Sequence, residues 1–188
     1  MARISYPDPA TLAPHDREFL ADLPQLNVWR MLAGSPCVFQ PMTAYSSAYL
    51  NDGQLSDEMR EIVILRTGYL RDSEYEVVNH LRVAKLIGMD EAKVAALVPG
   101  QPRDAFTPEE RDVLRFVDEV VLDGAASREA FDAVAASMSP AEMIELTIVI
   151  GVYTMVSQFC ATFDIELEEA PIADTGIEDM QRAVLKNR

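Results

Sequence analysis

The sequence predicts an all-α fold, and three observations lead there. Apolar residues recur at helical rather than alternating spacing almost throughout. No period-two run long enough for a strand appears between turn signals. Ser, Thr, Asp and Pro repeatedly stand where helices start, and Gly or Pro where they stop. At 188 residues, with 49% hydrophobic and 25% charged, the chain is long enough to bury a sizeable core as one globular domain. We therefore read residues 1–188 as a single domain, with an extended N-terminal arm over 1–20 and a C-terminal tail over 172–188.

The elements follow in order. "YPDPATLAP" is a proline-punctuated start, "HDREFLADL" a short helix closed by Pro24, and "LNVWRMLAG" another closed by Gly34 and Pro36. "PCVFQPMTAYSSAYLND" reads as a helix with a proline inside it or near its start. "LSDEMREIVILRTGYLRD" opens on Ser56 as N-cap, with Asp57 and Glu58 favouring the positive end of the helix dipole. "SEYEVVNHLRVAKLIG" follows, capped at Ser73 and ended by Gly88, and then "MDEAKVAALV" up to Pro99–Gly100. The loop "PGQPRDAF" leads into "TPEERDVLRFVDEVVLDG", whose Thr107, Pro108 and Glu110 spell a capping box with proline at the first helical position. "SREAFDAVAASM" and "SPAEMIELTIVIGVYTMVSQFCATF" complete the set. "REIVILRTGYL" and "IELTIVIGVYT" echo each other, which places Glu61 and Glu145 alike on two helices. A duplicated hairpin and the general likeness of buried helices both account for this.

Composition excludes several functions. A formal net charge of −15 and scattered arginines argue against a nucleic-acid or anionic-membrane partner. The N-terminus has neither the apolar core of a signal peptide nor a transit sequence. The most apolar run, "IVIGVYTMV", falls short of the roughly 20 residues that span a bilayer, so a cytoplasmic protein is expected. Cys37 and Cys160 form no C-x-x-C and build neither a zinc knuckle nor a dithiol centre. No phosphate-cradling loop, nucleophile elbow or dinucleotide fingerprint is present.

Chemistry concentrates in one stretch. Glu76 and His80 stand four apart on a helix, and therefore on one face. Glu61 lies inside a buried run, where a carboxylate needs a partner or a raised pKa. Arg60, Arg66 and Arg82 are nearby cations for it. His80 is the sharper partner, because an antiparallel hairpin would bring the two together and tune the imidazole for proton transfer. The same three residues also admit a surface ion pair or a metal site, although no second histidine completes the latter. His15 has no partner by spacing. Tyr75 and Tyr153 are placed to line a pocket.

Residues 55–90 resemble the carboxymuconolactone decarboxylase family, which also contains the alkyl hydroperoxidase D proteins. The redox members carry E-x(11)-C-x-x-C-x-x-x-H. Glu61 and His80 fall on its ends, while Ser73 and Glu76 stand where the two cysteines belong. The likeness extends over roughly residues 5 to 170, through "LNVWRMLAGSP", "FTPEERDVLRFVDEVV" and "SPAEMIELTIVIGVYTMVSQF". It implies a helical-hairpin bundle assembling as a trimer or hexamer. Without the cysteines it implies no thiol peroxidase cycle and points to the non-redox branch, which uses neither metal nor organic cofactor on a small carboxylated lactone.

On that resemblance His80 is the acid–base residue, and Glu61 orients and charges it. Glu76 is a second proton carrier or a substrate-orienting carboxylate. Ser73, Tyr75, Arg66 and Arg82 are candidate substrate contacts, with Arg30 a further cation. A non-catalytic helical binding or assembly protein, and a metal-dependent variant using Glu61, Glu76 and His80, are the alternative functions.

Overall fold

The computed structural model describes residues 1–168; the tail expected over 172–188 lies outside them. The helices are α1 (Pro14–Asp22), α2 (Asn27–Leu32), α3 (Pro36–Asp52), α4 (Asp57–Leu70), α5 (Glu74–Leu86), α6 (Glu91–Ala96), α7 (Pro108–Asp123), α8 (Arg128–Ala135) and α9 (Pro140–Phe163). No strand occurs among the described residues. The chain divides into two compact units, one of residues 1–52 with 160 onward and one of residues 53–159.

In the first unit the N-terminal segment is extended only up to a 3-10 turn at Pro9–Thr11, and α1 begins at Pro14. The extended arm of the sequence reading therefore gives way to helix well before residue 20. Its start is held by the 164–168 segment. The Ala2 N–H and the Tyr6 hydroxyl donate to the two carboxylate oxygens of Glu166, each at 2.8 Å, and Arg3 pairs with Asp164. Leu20, Leu23, Ala33 and Phe39 form the apolar centre, with Phe19 edge-on to Phe39. Of the two placements the sequence leaves open, Pro41 takes the one inside α3.

The second unit is built on the antiparallel hairpin α4–α5. α4 ends because Asp72 takes a left-handed conformation (φ 50°). The Ser73 N–H then donates to the Gly68 carbonyl and the Asp72 N–H to that of Tyr69, which closes a Schellman turn. α5 ends in the same way at Gly88 (φ 75°), where the Met89 N–H reaches the Ala84 carbonyl. The cap at Ser56 forms as predicted, its hydroxyl accepting from the Met59 N–H. Ser73 occupies the cap position of α5, but its side chain makes no capping bond, which corrects the sequence reading. Its backbone is committed to the Schellman turn instead.

Ile62 and Leu65 of α4 pack with Ala84, Met89, Leu97, Phe106 and Leu114 as the apolar centre of this unit. The Thr107–Glu110 capping box forms at the head of α7, a feature worth about 1 kcal/mol. α9 runs 24 residues with a window of mean hydropathy 1.6, long and apolar enough by length and composition to cross a membrane. The helix thus exceeds the short apolar run picked out in the sequence. It contributes Met143, Leu146, Val149, Ile150, Val152 and Tyr153 to the buried interior.

Candidate acid–base site

α4 is buried on all sides from Arg60 to Gly68. Four residues in that run, Arg60, Glu61, Arg66 and Thr67, are polar, so each one's partner is decisive.

Glu61, 1% exposed, finds His80. The imidazole Nδ1 lies 2.8 Å from Glu61 Oε2 across the hairpin. With Nδ1 bearing the proton that Glu61 accepts, Nε2 is the nitrogen left for chemistry. Nε2 stands 3.8 Å from Glu76 Oε2, too far for a hydrogen bond but close for two charges. Gly68 lets α4 and α5 approach closely here: a Cβ there would press on Val77 at 3.2 Å and touch Glu76 Cβ at 3.6 Å. Tyr153 of α9 meets the imidazole edge-on, 4.9 Å between ring centres at 87°. Burial pushes the His80 pKa down, but the charge and hydrogen bond of Glu61, joined by the charge of Glu76, outweigh it. The net shift is upward from the ordinary value of 6.5, with Arg60 opposing. The arrangement favours an imidazolium held between two buried carboxylates.

Two carboxylates address opposite nitrogens of one ring, so Glu61, Glu76 and His80 do not converge on a single point as metal ligands would. Among the described residues no group of three or more such side chains is placed to hold a metal ion.

The other predicted contacts are placed differently. Arg66 is buried and fully engaged by protein groups. Its Nε and Nη2 grip both oxygens of Asp118 on α7, at 2.6 and 2.9 Å, and Nη1 donates to the Leu97 carbonyl. Asp118 also receives Arg103. Arg66 is therefore a tie between α4 and α7, with the nitrogens expected to meet a substrate already held by protein groups. Arg82 lies two residues beyond His80, about 200° round the helix, and donates to Asn79 of its own helix at 3.3 Å. Ser73 and Tyr75 are buried at the start of α5. Glu145, the echo of Glu61, accepts the backbone N–H groups of Gln54 and Leu55, so the two glutamates do different work. Arg30, in the first unit, stacks on the Tyr6 ring and bonds Asn27.

His15, which has no partner by spacing, lies 3.5 Å from the buried Asp16. Both border a cavity of about 790 Å³ in the first unit that contains none of the motif residues. Sequence reasoning gave Arg60 only a bland role. Its signal was its place beside Glu61 in a buried run.

Comparison with known proteins agrees with this architecture. The model of the Carboxymuconolactone decarboxylase family matches residues 36–119, a span that holds the whole α4–α5 hairpin. No curated protein matches the chain. Among solved structures, an uncharacterized peroxidase-related protein with an alkylhydroperoxidase AhpD core from Ralstonia eutropha JMP134 superposes with a TM-score of 0.77 at 16% identity, covering 97% of this chain and 96% of that one. An uncharacterized peroxidase-related protein from Silicibacter sp. TM1040 gives 0.77 at 15% identity, covering 89% and 92%. A cysteine-to-alanine variant of the debrominase Bmp8 in complex with 2,3,4-tribromopyrrole gives 0.69 at 18% identity, covering 99% of this chain and 95% of that one. At such identities the likeness establishes the fold alone.

Proposed function

We propose that the chain, whose residues 36–119 match the carboxymuconolactone decarboxylase family model, is a cofactor-free acid–base enzyme of that family acting on a small carboxylated lactone or related ring compound. The observation that carries this reading is the buried Glu61–His80 pair, with Nε2 of the imidazole turned away from Glu61 and its pKa raised. A debrominase on the same fold is consistent with small cyclic substrates reaching such a site.

The chemistry would run as follows. The substrate's bond from ring carbon to carboxylate breaks, carbon dioxide leaves, and the electron pair moves into the conjugated lactone. His80, protonated at the outset, delivers the Nε2 proton to the carbon that receives it. Glu61 keeps Nδ1 protonated and balances the charge, and Glu76 is near enough to Nε2 to help return a proton. With Ser73 and Glu76 at the positions of the redox cysteines, no thiolate–disulfide cycle is available there.

Ile144, Ile148 and Met155 are exposed at four- and seven-residue intervals along α9. This apolar stripe supports a homo-oligomer, with a trimer or hexamer expected from the family resemblance.

The test is turnover of 4-carboxymuconolactone and a panel of carboxylated lactones, followed by ultraviolet absorbance and mass spectrometry without added metal or thiol. Wild-type protein should release carbon dioxide, and His80→Ala should not, at unchanged oligomeric mass. Full activity in His80→Gln would sink the assignment.

A further inference from the structure

We propose that Arg60 is the anion-binding residue of the Glu61–His80 site, taking the carboxylate of the ring substrate on its Nε–H edge. This rests on the acid–base reading above and assigns the group that would recognise the substrate's charge.

Two buried arginines stand on α4, six positions apart, and differ in what they hold. Arg66 has all three guanidinium nitrogens engaged by Asp118 and the Leu97 carbonyl. Arg60 is equally buried, 5% exposed against 6%. Its Nη2 meets Asp57, but its Nε is sealed from solvent and has no acceptor. Buried donors are nearly always paired, and an orphan on a charged group is the costly kind. A structure can keep one where a ligand supplies the missing acceptor. The Arg66–Asp118 pair displays the geometry, with Nε and Nη2 together holding one carboxylate as a fork. On Arg60 the same edge is half-occupied. Its occupant, Asp57, has a side chain 56% exposed and free to turn into water.

Placement and charge agree. Arg60 directly precedes Glu61, and its charge reaches His80, opposing protonation there. Glu61 and Glu76 would repel an anionic substrate, and a buried cation beside them offsets that repulsion. Thr67, seven residues on and so within about 20° of the same direction, is fully buried with its hydroxyl unpartnered. It adds a second donor on the same strip of α4. Arg71 shares the strip and also has a buried Nε without a partner. It lies about 16 Å along the helix from Arg60, beyond the reach of the same small ring.

The experiment compares binding of a saturated, unreactive carboxylated γ-lactone with that of its methyl ester, by calorimetry, for wild type, Arg60→Gln, Arg60→Lys and Asp57→Asn. Arg60→Gln should weaken the acid about tenfold or more while leaving the ester unchanged. Arg60→Lys should recover part of the loss, and Asp57→Asn should tighten the acid by freeing the fork. An acid-over-ester preference unchanged in Arg60→Gln would overturn the assignment even if the wild type turns substrate over. Should Arg60→Gln not fold, Asp57→Asn decides, and acid binding that is unaltered or weaker overturns it. Wild-type protein that binds neither compound would overturn the acid–base reading, and this assignment with it.

Discussion

His80 Nδ1 and Glu61 Oε2 lie 2.8 Å apart although the residues are nineteen positions apart and on opposite arms of the α4–α5 hairpin. The carboxylate is 1% exposed and the imidazole side chain 12%. Water therefore screens little of the interaction, and the protonation of one ring is tied to the packing of two helices.

The first consequence is a pH dependence with a definite sign. The folded His80 pKa is raised above its ordinary value of 6.5. Below 6.5 both folded and unfolded chains hold the proton, and the stabilisation is fully present. As pH rises from there through the folded pKa, the stabilisation is lost. Imidazole NMR shifts should titrate above 6.5, and denaturant midpoints should fall over that window. A ring titrating below 6.5 would contradict the electrostatics described here.

Glu61→Gln removes the largest upward influence on that ring while leaving burial in place. The His80 titration should move down, and turnover should fall by about a hundredfold, in the range typical of lost acid–base assistance. The NMR titration and kcat, measured on one preparation, check both. Retained kcat with a lowered pKa would mean that the protonated ring is not the working form.

Arg66→Met breaks the fork to Asp118 and leaves that carboxylate with Arg103. Removing one partner of a buried pair is expected to destabilise the fold by about 3 kcal/mol. The binding preference for carboxylate over ester should not change in the folded fraction. Chemical denaturation and calorimetry separate the two effects, and a selective loss of acid binding would restore Arg66 as a substrate contact.

Ile144 is 67% exposed and Ile148 39% exposed, on one stripe of α9. The double substitution Ile144→Glu and Ile148→Glu would put two charges into any interface formed there. Light scattering after size exclusion should show a fall in mass towards that of one chain. Unchanged mass would move the subunit contact to another face.

The helices were legible in the sequence because their signals are local. The Thr107–Glu110 box, the cap at Ser56 and the stop at Gly88 act over one turn of chain, where hydrogen bonds run between near neighbours. Ser73 misled because its neighbour Asp72 adopted the left-handed turn that the sequence gives no plain sign of, and that turn took over the backbone at the cap.

The sequence by itself determined that Glu61, Glu76 and His80 would share one hairpin, since helical periodicity fixes faces and a short turn fixes their pairing. Which partner each buried charge received was decided only by tertiary structure. Arg66 answers Asp118, 52 positions away, and Leu97, 31 away. Glu61 takes His80, and Arg60 keeps a donor unpaired. A buried charge takes whatever complementary group packing delivers within about 3 Å, and that distance depends on how helices far apart in the chain come to lie against each other.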